Sequence, residues 1–113
     1  MEIIWETVDR LGRIVALSDA GWIHICSRHE DMVGHQQDIR TALELADEVV
    51  RDAKYAHRQV HYLRRPPSLR WLRVVVQYRP SEPADWRGTV ITAHFLSIRP
   101  RNEVLLWPLP SPS

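Results

Sequence analysis

Glycine is scarce in this chain, four in 113 residues, and cysteine, lysine and phenylalanine occur once each. A lone Cys26 can close no internal disulfide and builds no thiolate metal site, and it fits a reducing, cytoplasmic compartment. The few glycines form no GxGxxG, GxxxxGK[ST] or GxSxG pattern, so a phosphate-cradling loop is missing and nucleotide-fold enzymes are disfavoured. No apolar run approaches the roughly 20 residues that cross a bilayer, so no membrane partner is expected. The start, Met1-Glu2-Ile3-Ile4-Trp5-Glu6, lacks the basic-then-apolar order of a signal peptide. No segment repeats.

Carboxylates are missing from residues 54–81, which hold Lys54, Arg58, Arg64, Arg65, Arg70, Arg73 and Arg79, a net charge of +7. Residues 1–53 carry 11 acids against five arginines, and the last 32 residues balance at three of each sign. The total of +1 therefore conceals a division. Fourteen of the fifteen cations are arginine, whose planar fork suits bidentate phosphate contacts. Two readings follow. Interleaved with Tyr62, Trp71 and Tyr78, the arginines form a surface that holds phosphate and stacks bases, or else they neutralise the acidic first half.

What is present suffices for a core: 44% of residues are hydrophobic and five are tryptophan. The length predicts one domain over residues 1–107, followed by a Pro/Ser tail at 108–113. Glu2–Val8 and Arg13–Leu17 read as a hairpin turning at Gly12. Ser18 or Asp19 caps a helix from about Ala20 to Asp31, with Trp22, Ile25, Cys26, His29 and Met32 on its apolar stripe and Gly34 as its stop. A second helix runs from about Gln36 to Ala46, after which Val49, Val50 and Ala53 either continue the stripe or begin an extended segment. Tyr55–Leu63, Leu69–Arg79 and Gly88–Ile98 alternate as strands, joined by Pro-rich connections at Arg65-Pro66-Pro67-Ser68 and Pro80–Arg87. The expectation is an α+β fold in which a β-hairpin and two helices pack on a C-terminal antiparallel sheet of about four strands.

Six histidines are many for this length. His24 and His29 are five apart, about 140° around a helix, so they cannot chelate one ion as an i,i+4 pair does. His57 and His61 would lie about 13 Å apart along a strand, too far to share a metal. No metal and no cofactor is expected. Acid–base work suits the histidines better, because a group titrating near neutral pH can both take and give a proton. Within its apolar stripe His29 is either a neutral base or a core histidine held by one hydrogen bond. Thr92 and His94 share one face of their strand.

Several stretches in order carry a family resemblance. They are Gly12-Arg13-Ile14-Val15-Ala16-Leu17-Ser18, then Gly21-Trp22-Ile23-His24-Ile25-Cys26-Ser27-Arg28-His29, then Asp38-Ile39-Arg40-Thr41-Ala42-Leu43. Val60-His61-Tyr62-Leu63-Arg64-Arg65, Leu72-Arg73-Val74-Val75-Val76, Val90-Ile91-Thr92-Ala93 and Leu105-Leu106-Trp107 follow. Over about residues 8–107 the chain resembles the small phage-associated nuclease-like domains grouped with barnase, EndoU, the colicin tRNases and the RelE toxins. It departs from that pattern at His61, where a second aromatic is expected beside Tyr62.

The resemblance implies metal-independent RNA cleavage by a toxin or phage-linked effector, with RNA as partner and a protein inhibitor or antitoxin as a further one. Carried over residue by residue, His24, His29, Tyr62, Arg64 and Thr92 become the expected catalytic set. One histidine would serve as base and another, His94 included, as acid, while Tyr62 and Thr92 position the phosphate. Arg58, Arg65, Arg73 and His94 are the expected substrate contacts. The alternative is a non-catalytic RNA-binding or protein-interaction module built on the same fold.

Overall fold

The alternation in the middle of the chain becomes the spine of the sheet. In β5 (Trp71–Pro80), Leu72, Val74, Val76 and Tyr78 are buried against the helices, while Trp71, Arg73, Val75 and Gln77 take the opposite face. The computed structural model describes residues 2–64, 70–80 and 86–109. Arg65, the 65–68 connection, most of the Pro80–Arg87 connection and the tail from residue 110 lie outside the described residues.

The expected hairpin forms from β1 (Ile3–Val8) and β2 (Ile14–Ser18). Gly12 makes the turn at φ +85°, a left-handed conformation that side chains with a Cβ rarely adopt. Ser18 caps α1 (Asp19–Arg28) by accepting the Gly21 N–H at 3.0 Å. The helix is shorter than its stripe suggests. It stops at His29, and a 3₁₀ turn at Glu30–Met32 carries the chain to Gly34. α2 (Gln36–Glu44) then buries Ile39, Ala42 and Leu43, as their spacing requires.

Beyond α2 the chain enters β3 (Glu48–Asp52), β4 (Arg58–Arg64), β5, β6 (Trp86–Leu96) and β7 (Glu103–Trp107). The α+β class stands, but the expected four-stranded antiparallel sheet is corrected to one of seven strands in the order β1-β2-β6-β5-β4-β3-β7. Two causes account for the undercount. The hairpin joins the main sheet, since β2 pairs with β6 in parallel through Ile14–Ala16 and Arg87–Thr89. β3 and β7 also escape a periodicity count: consecutive Val49 and Val50 are both buried, one on each side of a strand held between β4 and β7.

Both helices cover one face, where Val15, Leu17, Ile25, Ile39, Val74 and Val90 belong to the main core. The second face has a smaller cluster of Val50, Val60, Tyr62 and Val75, with Trp71, Ile91 and Leu96 beside it. Residues 97–102 must pass β5, β4 and β3 to join β6 to β7. Their path is marked by Arg99, whose guanidinium lies 4.0 Å from the centre of the Tyr62 ring and pairs with Glu48 at 2.7 Å.

Candidate functional site

Strand register sorts the polar residues of the second face into transverse rows. Tyr62 on β4 stands opposite Arg73 on β5, and Arg73 opposite His94 on β6. Neighbouring strands lie about 4.8 Å apart, so these side chains form one continuous row. The next row is Val60, Val75 and Thr92, and the one after it Arg58, Gln77 and Thr89. Beyond these, Arg79 faces Arg87.

α1 extends the first row. β2 pairs with β6 only as far as Thr89, which leaves the flank of β6 free from Val90 onward. The helix occupies that flank closely: a Cβ on Gly21 would lie 3.3 Å from the Val90 carbonyl oxygen. Its final residue region brings the His29 ring onto His94, with ring centres 4.8 Å apart and planes at 22°. Four residues singled out in the sequence therefore meet: Tyr62, Arg73, His94 and His29.

Charge and burial divide their roles. The His94 pKa is lowered by burial first, then by the charges of Arg73 and His29, against an opposing pull from Asp31. His94 Nδ1 is buried with no partner among the described residues, so a proton there would leave an unsatisfied N–H inside the protein. Both facts favour a neutral ring. Arg73 donates from Nε to the Tyr62 hydroxyl oxygen at 3.2 Å, and its Nη2 lies 3.4 Å from Glu103 Oε2. The Tyr62 O–H in turn donates to Glu103 Oε1 at 2.6 Å. Burial and then the Glu103 bond push the Tyr62 pKa up to about 12, with Arg73 acting the other way. Tyr62 is fully buried, and its hydroxyl anchors the guanidinium of Arg73.

The other expected site residues are dispersed. Thr92 occupies the adjacent row opposite Val75. Arg64 is exposed and lies over the Trp71 ring, 5.7 Å from its centre. Arg58 stands two rows away and stacks at 4.4 Å on Tyr55. His24 is exposed on α1, where its carbonyl accepts the Ser27 hydroxyl, and no contact joins its ring to the row among the described residues. Arg65 lies outside the described residues. Glu103 was not singled out by pattern. Its one signal is that it is the only acid after Asp85 and stands at the head of the apolar run Val104-Leu105-Leu106-Trp107.

A second polar cluster lies beneath the sheet. Asp9 Oδ1 accepts the Leu11 and Arg13 N–H groups, and its Oδ2 accepts Arg13 Nε at 2.9 Å and the Tyr78 hydroxyl at 2.6 Å. Because Tyr78 donates its only hydrogen to Asp9, its oxygen accepts from His61 Nε2 at 2.6 Å. Position 61, where the resemblance departs, is thus a neutral core histidine, its pKa lowered to about 4 mainly by burial. Compared with protein-family models, with curated proteins and with solved structures, the chain matches none.

Proposed function

We propose that this chain is a metal-independent endoribonuclease domain whose proton-transfer pair is His29 and His94. The observation that carries the reading is their ring contact at 4.8 Å, beside Arg73 in the same row of the second face. Neutral His94 takes the proton of an RNA 2′-hydroxyl. The 2′-oxygen then attacks the adjacent phosphorus, and His29 delivers a proton to the departing 5′-oxygen. The products are a 2′,3′-cyclic phosphate and a 5′-hydroxyl. Arg73 stabilises the charge that develops on the phosphate, and Tyr62 with Glu103 fixes its guanidinium as positioning residues. The resemblance places a toxin or phage-linked effector, checked by a protein inhibitor, within the same proposal.

The test is cleavage of single-stranded RNA with a chelator present. Wild-type protein is expected to release cyclic-phosphate ends, and His29→Ala or His94→Ala each to slow the reaction about 10²- to 10⁴-fold. Urea unfolding of each variant checks that the fold is kept. Because the His94 pKa is lowered, the acid limb of the rate profile is expected below the ordinary histidine value of about 6.5. Loss of cleavage on chelation, or a double variant as active as wild type, would sink the mechanism. Protein that binds RNA but leaves it intact would mark a binding module instead.

A further inference from the structure

Along β5 the second face ends in two arginines that the histidine row does not use. Arg79 and Arg87 stand directly opposite each other on β5 and β6, and both are exposed. Like charges facing each other across an antiparallel pair are destabilising unless an opposite charge joins them. Neither arginine forms an ion pair with any described residue. Both line a cleft of about 750 Å³ together with Gln77, Thr89, His57 and Ile91, and none of the described lining residues is acidic.

The walls of the cleft suit a phosphodiester. Gln77 and Thr89 supply neutral hydrogen-bonding groups in the row beside the charges, and Ile91 supplies an apolar wall. His57 adds an exposed ring, held edge-on against Trp86 with centres 5.5 Å apart, on which a base can stack. Arg58, the neighbour of Gln77 in the same row, has a buried Nε with no partner among the described residues. Arg79 lies six positions beyond Arg73 on one face of β5, about 20 Å at strand rise. A single strand of RNA lying along β5 would therefore reach both places.

We infer that the Arg79–Arg87 cleft is a second phosphodiester subsite, which grips single-stranded RNA about 20 Å from the His29–His94 pair and makes longer strands the preferred substrate. It rests on the ribonuclease reading of the same face. Arginine forks at the two ends of the face take phosphates several nucleotides apart, and between them Thr92 and Ile91 keep part of their surface exposed.

The test measures fluorescence anisotropy of a 2′-O-methyl ten-nucleotide RNA and of a dinucleotide on the full chain over a range of salt. For Arg79→Gln with Arg87→Gln, ten-nucleotide affinity is expected to fall about tenfold. The slope of log K on log salt is expected to shrink by about 1.4, or 0.7 per lost phosphate contact. Dinucleotide binding stays as in wild type. Arg79→Lys with Arg87→Lys keeps the slope and loses part of the affinity, since lysine lacks the fork. Wild-type affinity and slope in the double glutamine variant overturn the subsite, as does equal displacement of the RNA by polyaspartate. The two proposals fail separately. RNA gripped through Arg79 and Arg87 but never cleaved removes the ribonuclease, whereas cleavage through His29 and His94 with no response at the arginines removes only the subsite.

Discussion

Asp9 shows how much one buried side chain can organise. Its carboxylate has no exposed surface and receives four hydrogen bonds: two backbone N–H groups of its own turn, the Arg13 side chain and the Tyr78 hydroxyl. Those bonds tie the β1–β2 turn to the centre of the sheet, where Arg13 also lies 4.0 Å from the centre of the Tyr78 ring. A buried ion pair is not by itself stabilising, but breaking one is costly because the remaining charge has no water to turn to. Asp9→Ala is accordingly expected to lower the free energy of unfolding by about 3–5 kcal/mol, read from urea denaturation at neutral pH. A loss below 1 kcal/mol would show that water replaces the carboxylate at no cost.

At the level of the elements, the pairing of β5 with β6 carries both the histidine row and the arginine-lined cleft, so its packing governs them together. Gly88 stands opposite Tyr78, and a Cβ there would sit 2.5 Å from Val76 Cγ1 and 2.8 Å from Tyr78 Cε1. The backbone conformation is not the obstacle; the buried side chains of β5 are. Gly88→Ala is expected to destabilise the protein by about 1–3 kcal/mol, measured by thermal or urea unfolding, as in other overpacked cores. On the same pair, the register shift between Val75 and Val76 inserts Ile91 into β6. Without that extra residue, Thr92 and His94 would exchange faces with Ala93. His94 would then lie under the helices and away from Arg73.

For the molecule as a whole, neutralisation of the acidic half accounts for few of the described arginines in the basic stretch. Of the described arginines in the basic stretch, Arg70 meets an acid of the first half, Asp31, at 3.6 Å. Arg73 is held by Glu103 from the last stretch, Arg58 and Arg64 lie on aromatic rings, and Arg79 faces the cleft. Stability as a function of pH is also a property of the whole fold. His61 is held near pKa 4 when folded, against an ordinary value of about 6.5, so the unfolded chain binds a proton that the folded one refuses. Its contribution is complete above pH 6.5 and is lost as pH falls through that value toward 4, reaching about 3 kcal/mol. Urea unfolding between pH 7 and 4 is expected to show this loss in wild type and a shallower one in His61→Gln. Equal slopes in the two proteins would assign the acid sensitivity elsewhere.

The sequence by itself determined the class of fold, because hydrophobic period is a local property. The two-residue repeat of Leu72, Val74, Val76 and Tyr78 and the stripe of Ile39, Ala42 and Leu43 leave few other ways to bury those side chains. It also determined which face of β5 carries Arg73, and that Thr92 and His94 share a face. Tertiary structure decided the rest. Val49 and Val50 have no period to read, since their strand is covered on both faces, and the parallel joining of β2 to β6 brings together segments about 70 residues apart. The site was split in the same way. Of the two helix histidines only His29 is set against a ring of β6, that of His94, and only the fold brings Glu103 to Arg73 and Arg79 to Arg87. Side-chain chemistry is written along the chain, while convergence depends on strand order, register and a single bulge, which are settled by packing between distant segments.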